Sequence, residues 1–273
     1  LIRKGNFMSP KTRLQDMTSA EFARRAAEKP VILLPMGAQE TQGPHAPMGD
    51  FVLAEALAGR VAGRTGCVVA PVLPFGDSEF FRSLPGCISL RPTTLVSVIK
   101  DICENFLDHN LNRLVIFNGQ TSNAAAIDQA VRDLRRSHGV YIPCVNVWRI
   151  LSPAQMQDIY GDALAGSQGH GGDPITSMFL NLFPSLVRMD LLEAPKPFKE
   201  AMKLPTRSIS SLNFRGVAVP MPFDMAQMSE NGNLSGDGSK SSAEIGAQIA
   251  DAIVDFSAAF VDHFKTCDPR SIT

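Results

Sequence analysis

No pair of cysteines in this 273-residue chain has the C-x-x-C spacing of a zinc or redox site. The five present, Cys67, Cys87, Cys103, Cys144 and Cys267, are scattered and odd in number, so no disulfide framework is indicated and a reducing cytoplasm is the expected location. Neither sign of charge is in excess, with 26 basic against 27 acidic residues, which argues against a phosphate backbone or an anionic membrane as partner. No apolar run reaches the roughly 18 residues that span a bilayer. The basic, polar start from Leu1 to Ser9 lacks the apolar core of a secretory signal. Internal repeats and low-complexity tracts are missing as well. What remains is a protein that takes a small neutral or mixed-charge ligand.

The chain does carry enough apolar material, 44% of its residues, to bury a full core. The expected organisation is an extension over residues 1–9 followed by a single domain over 10–273. Four short apolar runs, Val31 to Met36, Cys67 to Leu73, Arg113 to Phe117 and Val140 to Val147, read as buried strands. Between them, Phe51 to Val61, Leu95 to Leu107 and Asn123 to Leu134 space their apolar residues by three and four, as helices do. This alternation predicts an α/β fold with three layers, α/β/α, around a mostly parallel central sheet. A further helix is expected from Asp173, with Pro174 early in it, to about Phe183. A long last helix is expected from Ser241 to Lys265, where Ser241 and Glu244 have capping-box spacing. The stretch from Pro184 to Gly238, rich in Pro, Met, Ser and Gly, has weak periodicity and reads as a long excursion rather than a second core.

Open sheets of this kind place ligands beyond the carboxyl ends of their strands. Glu40, Gln42, His45 and Asp50 follow the first apolar run, and Asn118-Gly-Gln-Thr-Ser-Asn123 follows the third. A Gly169-His-Gly-Gly172 cluster precedes the Asp173 helix. Each could be an ordinary turn when taken singly. Together they outline a site.

The order and flanks of these clusters resemble the creatininase (creatinine amidohydrolase) family over most of the chain. Leu34 to Asp50 is similar to the family's Gly-Ser-x-Glu-Gln-His-Gly-Pro-His-Leu-Pro-Leu-Gly-Thr-Asp, and Phe75-Gly-Asp-Ser-Glu-Phe80 to its Tyr-Gly-x-Ser-x-Glu-His. Leu84 to Leu90 resembles Phe-Pro-Gly-Thr-x-x-Leu, Asn118 to Asn123 resembles Asn-Gly-His-Gly-Gly-Asn, and Gly169 to Ser177 resembles Gly-His-Ala-Gly-Glu-x-Glu-Thr-Ser. Gly236 to Gly246 is similar to the family's Gly-Asp-Pro-x-x-Ala-x-x-Glu-x-Gly. The resemblance implies the creatininase-like three-layer fold, a homo-oligomer of the hexameric kind, and divalent metal activating water against a small or cyclic amide.

Carried over position by position, Glu40 and Asp50 match two carboxylate ligands, Asp50 through a loop one residue shorter than usual. Gln42, Gln120 and Phe80 stand where the family has histidines, and Ile175 where it has a glutamate. Glutamine is a weak donor for zinc or iron, so the expectation is either no metal or one weakly held Mn, Zn or Fe ion on Glu40 and Asp50. Without a cation, two close carboxylates cannot both ionise cheaply, and one should keep its proton. The sequence therefore points to catalysis by Glu40, Asp50 and His170. Gln42, His45, Asn118, Gln120, Ser122, Asn123 and Asp173 are expected to bind a small-molecule substrate.

The plainer alternatives are specific. Asp50 suits the cap of the Phe51 helix. His45, between prolines, suits a loop brace or a subunit contact, while His109, His138 and His263 read as surface residues. Ser122 or Thr121 could be a nucleophile, but neither sits in a Gly-x-Ser-x-Gly elbow. Cys87 reads as a small packed residue. Phe214, Met221, Phe223 and Met225 could wall a pocket or fill an interface. The alternative to an enzyme is a non-catalytic, small-molecule-binding oligomer on the same fold.

Overall fold

The computed structural model describes residues 11–272, so the extension expected over residues 1–9 lies outside the described residues. Strands β1 (Ile32–Met36), β2 (Val68–Val69), β3 (Leu114–Asn118) and β4 (Cys144–Asn146) form a parallel sheet in the order β2-β1-β3-β4. Around it run helices α1 (Ser19–Ala27), α2 (Phe51–Thr65), α3 (Pro92–Asp108), α4 (Ala124–His138) and α5 (Pro153–Tyr160). The single turn α6 (Leu164–Ser167) leads to α7 (Ile175–Leu182), and after another single turn, α8 (Met225–Met228), the long α9 (Ala243–Phe264) closes the chain.

Successive strand residues point to opposite faces, and here both faces are covered. Leu33, Val115 and Phe117 join the core beneath α2, α7 and α9, while Ile32, Leu34, Leu114 and Ile116 join the core beneath α3 and α4. This is the three-layer arrangement, and it explains why the strands read as unbroken apolar runs. In α2, Leu53, Leu57 and Val61 recur every fourth residue on one buried face, each burial being worth about 1.5–3 kcal/mol. Gly66 ends that helix in the left-handed region at φ 70°, its N–H returning to the Ala62 carbonyl.

Two apolar runs are shorter as strands than the sequence suggests. β2 stops at Val69 because Pro71 and Pro74 interrupt the edge. β4 begins only at Cys144, since Pro143 has no N–H and the Tyr141 N–H is bonded to the Pro269 carbonyl at 2.8 Å. The last helix is capped by Ser242, whose hydroxyl accepts the Ile245 N–H, rather than by Ser241.

The stretch from Pro184 to Gly238 is more structured than expected. Strands β5 (Glu200–Ala201), β6 (Leu204–Ser208), β7 (Ser211–Phe214) and β8 (Val217–Pro220) make an antiparallel sheet in sequential order. A third apolar cluster of Phe81, Leu212, Phe223, Met225, Met228 and Leu234 packs beside it. The strands are two to five residues long and carry a register shift between Thr206 and Ser208, too little for an alternating pattern to emerge. Phe223 and Met225 fill this cluster, Met221 packs against it, and Phe214 is exposed. Among the described residues no helix is long and apolar enough to cross a membrane.

Candidate active site

The strand ends set the stage. Met36 pairs with Asn118 and Asn118 with Asn146, so β1, β3 and β4 finish level and their following loops meet at one edge. Glu40 comes from the loop after β1, Gln120 from the loop after β3, and Ser78 from the segment after β2. Close backbone approach holds the loops together. A Cβ on Gly76 would lie 2.4 Å from both the Gly37 carbonyl and the Asn123 amide oxygen, contacts that only glycine allows.

Glu40 is the centre of the polar cluster and is 3% exposed. Its Oε2 accepts the Ser78 hydroxyl at 2.5 Å and the Gln120 amide N–H, and its Oε1 accepts the Gln42 amide at 3.4 Å. Gln120 Nε2 is also 3.3 Å from both the Asp77 carbonyl and Ser78 Oγ. Burial pushes the Glu40 carboxyl up to about 7, against the pull of the three hydrogen bonds, and the Asp77 charge adds to the rise. Asp50 is equally buried and is raised well above the usual carboxylate range, first by burial and then by the Glu40 charge. Burial and mutual repulsion thus both favour a proton on the pair over two negative charges.

Asp50 stands at the start of α2 but its side chain makes no cap bond; Oδ1 instead accepts the Ala38 N–H at 2.8 Å. Two asparagines brace the loops. Asn118 donates to Asn146 Oδ1 at 2.9 Å and accepts the Gln120 N–H, and Asn123 accepts the Asp77 N–H at 2.8 Å while donating to the Gly37 carbonyl. Ser122 is exposed and gives its hydroxyl to the Asp77 carbonyl.

Three other expected site residues are committed elsewhere. His170 donates Nε2–H to the Thr41 carbonyl at 2.6 Å and stacks on Phe81 with centroids 4.2 Å apart; burial holds its imidazole down at about 4, hence neutral. His45 is fully enclosed, with Nε2 3.0 Å from Thr176 Oγ1 and, among the described residues, no partner for Nδ1. Asp173 accepts the Ser177 N–H, the Ser177 hydroxyl and the Ser241 hydroxyl, tying the start of α7 to the start of α9.

The structure thus gathers Glu40, Asp50, Gln42 and Gln120, and sets Asn118, Asn123 and Asp173 as braces. Ser78 is the member the sequence reading passed over. It lies in the Phe75 to Phe80 segment and matches that motif's serine, but its partner Glu40 is 38 residues away in the chain. Phe80 itself packs edge-on against Phe81, 4.9 Å away, and Ile175 packs against the apolar core at the start of α7. An open cleft of about 510 Å³, lined by Arg135, Tyr141, Phe260 and Phe264, lies at the opposite end of β4 and does not include these residues.

A divalent metal of the zinc or manganese kind needs several imidazole, carboxylate or thiolate lone pairs converging on one point. Among the described residues no three His, Cys, Asp or Glu side chains are grouped to hold one. Around Glu40 the neighbours are one hydroxyl and two amides, Ser78, Gln120 and Gln42, whose neutral oxygens are weaker ligands for these ions than imidazole or carboxylate. The donor set of this chain does not fit the metal that the motif resemblance implies.

A family profile for creatininase, described as creatinine amidohydrolase, matches residues 15–261. A creatinine amidohydrolase of Pseudomonas putida is 34% identical over 198 residues, covering 67% of this chain and 76% of that protein. A mycofactocin precursor peptide peptidase of Mycobacterium ulcerans (strain Agy99) is 30% identical over 206 residues, covering 71% and 73%. A solved structure described as creatininase Mn superposes with a TM-score of 0.76 at 29% identity, covering 93% of this chain and 98% of the other. The matched profile and the shared three-layer sheet lead to one conclusion: this chain belongs to the creatininase family.

Proposed function

We propose that the chain is an amidohydrolase acting on a C–N bond of a small, cyclic or linear amide, with Glu40 as its acid–base group and a metal site that is weakened or absent. The observation that carries this reading is the buried Glu40 carboxyl beside Asp50, hydrogen-bonded only to the neutral donors Ser78, Gln120 and Gln42, a setting in which burial pushes it up to about 7. A carboxyl poised near the working pH can take a proton from a nucleophile and return it to a leaving nitrogen. Gln42 and Gln120 bring amide N–H groups to the same place, where they can hold a substrate carbonyl. The relatives span a creatinine amidohydrolase and a peptide peptidase, so the substrate class under this reading is a small amide, with creatinine-like rings and short peptides as its two poles. A homo-oligomer fits the exposed Phe214, Val217 and Val219 on β7 and β8.

The test is a hydrolysis screen of creatinine, small lactams and short acyl peptides with the unaltered chain and with Glu40→Gln. Turnover that falls by about 100-fold or more in Glu40→Gln supports the assignment. Equal turnover in both would sink it, and no turnover of any amide would favour a ligand-binding protein.

A further inference from the structure

Among the described residues, Ser78 is the hydroxyl that hydrogen-bonds Glu40, and its geometry suits more than satisfying a buried carboxylate. It occupies the N-cap position of the short turn Glu79–Phe81, where a serine side chain ordinarily accepts a backbone N–H, yet it makes no cap bond. The hydroxyl turns inward to Glu40 Oε2 at 2.5 Å, and the residue is fixed behind by its own N–H donating to Ser89 Oγ at 3.0 Å. Gln120 Nε2 lies 3.3 Å from Ser78 Oγ and also bonds the same carboxylate oxygen, so hydroxyl, carboxylate and amide form a closed triangle. On the other carboxylate oxygen, the Gln42 amide makes only a long 3.4 Å contact, which leaves it able to turn towards another acceptor.

We propose that Ser78 is the nucleophile of this enzyme, with Glu40 as its base, doing by an acyl-enzyme route what the altered metal-ligand positions no longer support. This rests on the amidohydrolase reading above and adds the reacting atom to it. Ser78 Oγ attacks the amide carbonyl carbon as its proton passes to Glu40, and the negative oxygen so formed is met by Gln42 N–H. Collapse breaks the C–N bond, Glu40 returns the proton to the departing nitrogen, and an ester to Ser78 remains. Water then attacks the ester, giving its proton to Glu40; the C–O bond breaks, Glu40 reprotonates Ser78 Oγ, and a carboxylic acid leaves. Because Ser78 is 2% exposed, the acyl half of the substrate is small.

The experiment treats the full chain separately with p-nitrophenyl acetate and with a short-chain alkyl fluorophosphonate, and locates adducts by intact mass and peptide mapping. The expected result is about one adduct per chain on Ser78. It should be absent in Ser78→Ala and form about 100-fold more slowly in Glu40→Gln. Labelling of the unaltered chain does not depend on any variant folding. No adduct on Ser78, or one only on another residue, overturns the proposal. So does amide turnover that survives Ser78→Ala within about threefold; Glu40 would then act on water directly, and the amidohydrolase reading would stand without the nucleophile. Labelled Ser78 with no amide turned over would do the reverse.

Discussion

Asp50 faces away from the helix it precedes, its Oδ1 accepting the Ala38 N–H at 2.8 Å across the buried base of the site. The bond needs an acceptor oxygen but not a negative charge, and the charge is opposed both by burial and by Glu40. Asp50→Asn should therefore unfold at the same or a higher urea concentration at pH 7. Asp50→Ala leaves a buried N–H without a partner and should cost about 1–3 kcal/mol. Equal losses in the two variants would contradict this division between acceptor and charge.

Glu40, which is buried, and His170, which is half-buried, should tilt stability against pH in opposite directions. Glu40 keeps its proton in the folded chain up to about 7 but loses it near 4.5 when unfolded, so its contribution is full below 4.5 and lost as pH rises through 7. His170 resists protonation until about 4 when folded but accepts a proton near 6.5 when unfolded, so its contribution is full above 6.5 and lost as pH falls to 4. Asp50, also raised, acts in the same sense as Glu40. Removing one group exposes the other. Relative to the unaltered chain, Glu40→Gln should gain stability as pH rises from 4.5 to 7, and His170→Gln should lose it as pH rises from 4 to 6.5. Urea midpoints measured across pH 4 to 8 read both, and difference curves that stay flat would refute the assigned directions.

The parallel sheet and its covering helices were legible because strands buried on both faces read as apolar runs, and α2, α3 and α4 carry their core residues three and four apart. Boundaries were lost where tertiary bonds decide them, as with Pro269 taking the Tyr141 N–H. Helix α1 went unread although Thr18 and Glu21 form a reciprocal cap, because none of its residues is fully buried. In the site, Glu40, Gln42 and Gln120 were legible from motif position, and the structure brings them together. That Asn118 and Asn123 brace loops, and that His45 pairs with Thr176 instead, depends on which neighbours lie across the fold. Ser78 was hidden for the same reason: its partner Glu40 is 38 residues away.

Two glycines in helices should respond oppositely to alanine. A Cβ at Gly246 would fall 2.0 Å from the Ser177 carbonyl oxygen, where α9 presses on the backbone of α7. Gly246→Ala should cost about 1–3 kcal/mol or more. Gly59, in α2, has open space around its Cβ position, and Gly59→Ala should stabilise by about 0.4–1 kcal/mol. Thermal unfolding of the two single variants checks the contrast, and a destabilised Gly59→Ala would show that α2 is packed differently.

Imidazoles at Gln42 and Gln120 would give Glu40 and Asp50 two further ligand-type neighbours. In Gln42→His/Gln120→His, two amide donors are exchanged for nitrogens with lone pairs. Titration calorimetry should then record a zinc isotherm that the unaltered chain lacks, and tight zinc binding by the unaltered chain would contradict the donor-set argument.

Whether Glu40 acts without a tightly held metal ion is read from the rate of the best amide hydrolysis before and after exhaustive chelation. The rate should be unchanged within about twofold, with no gain on adding Mn or Zn, since Gln42 and Gln120 put amides, weak donors to these ions, where the motif resemblance calls for imidazoles. A rate that collapses on chelation and returns with either metal would mean that Glu40 acts as a metal ligand and not as a metal-free acid–base group.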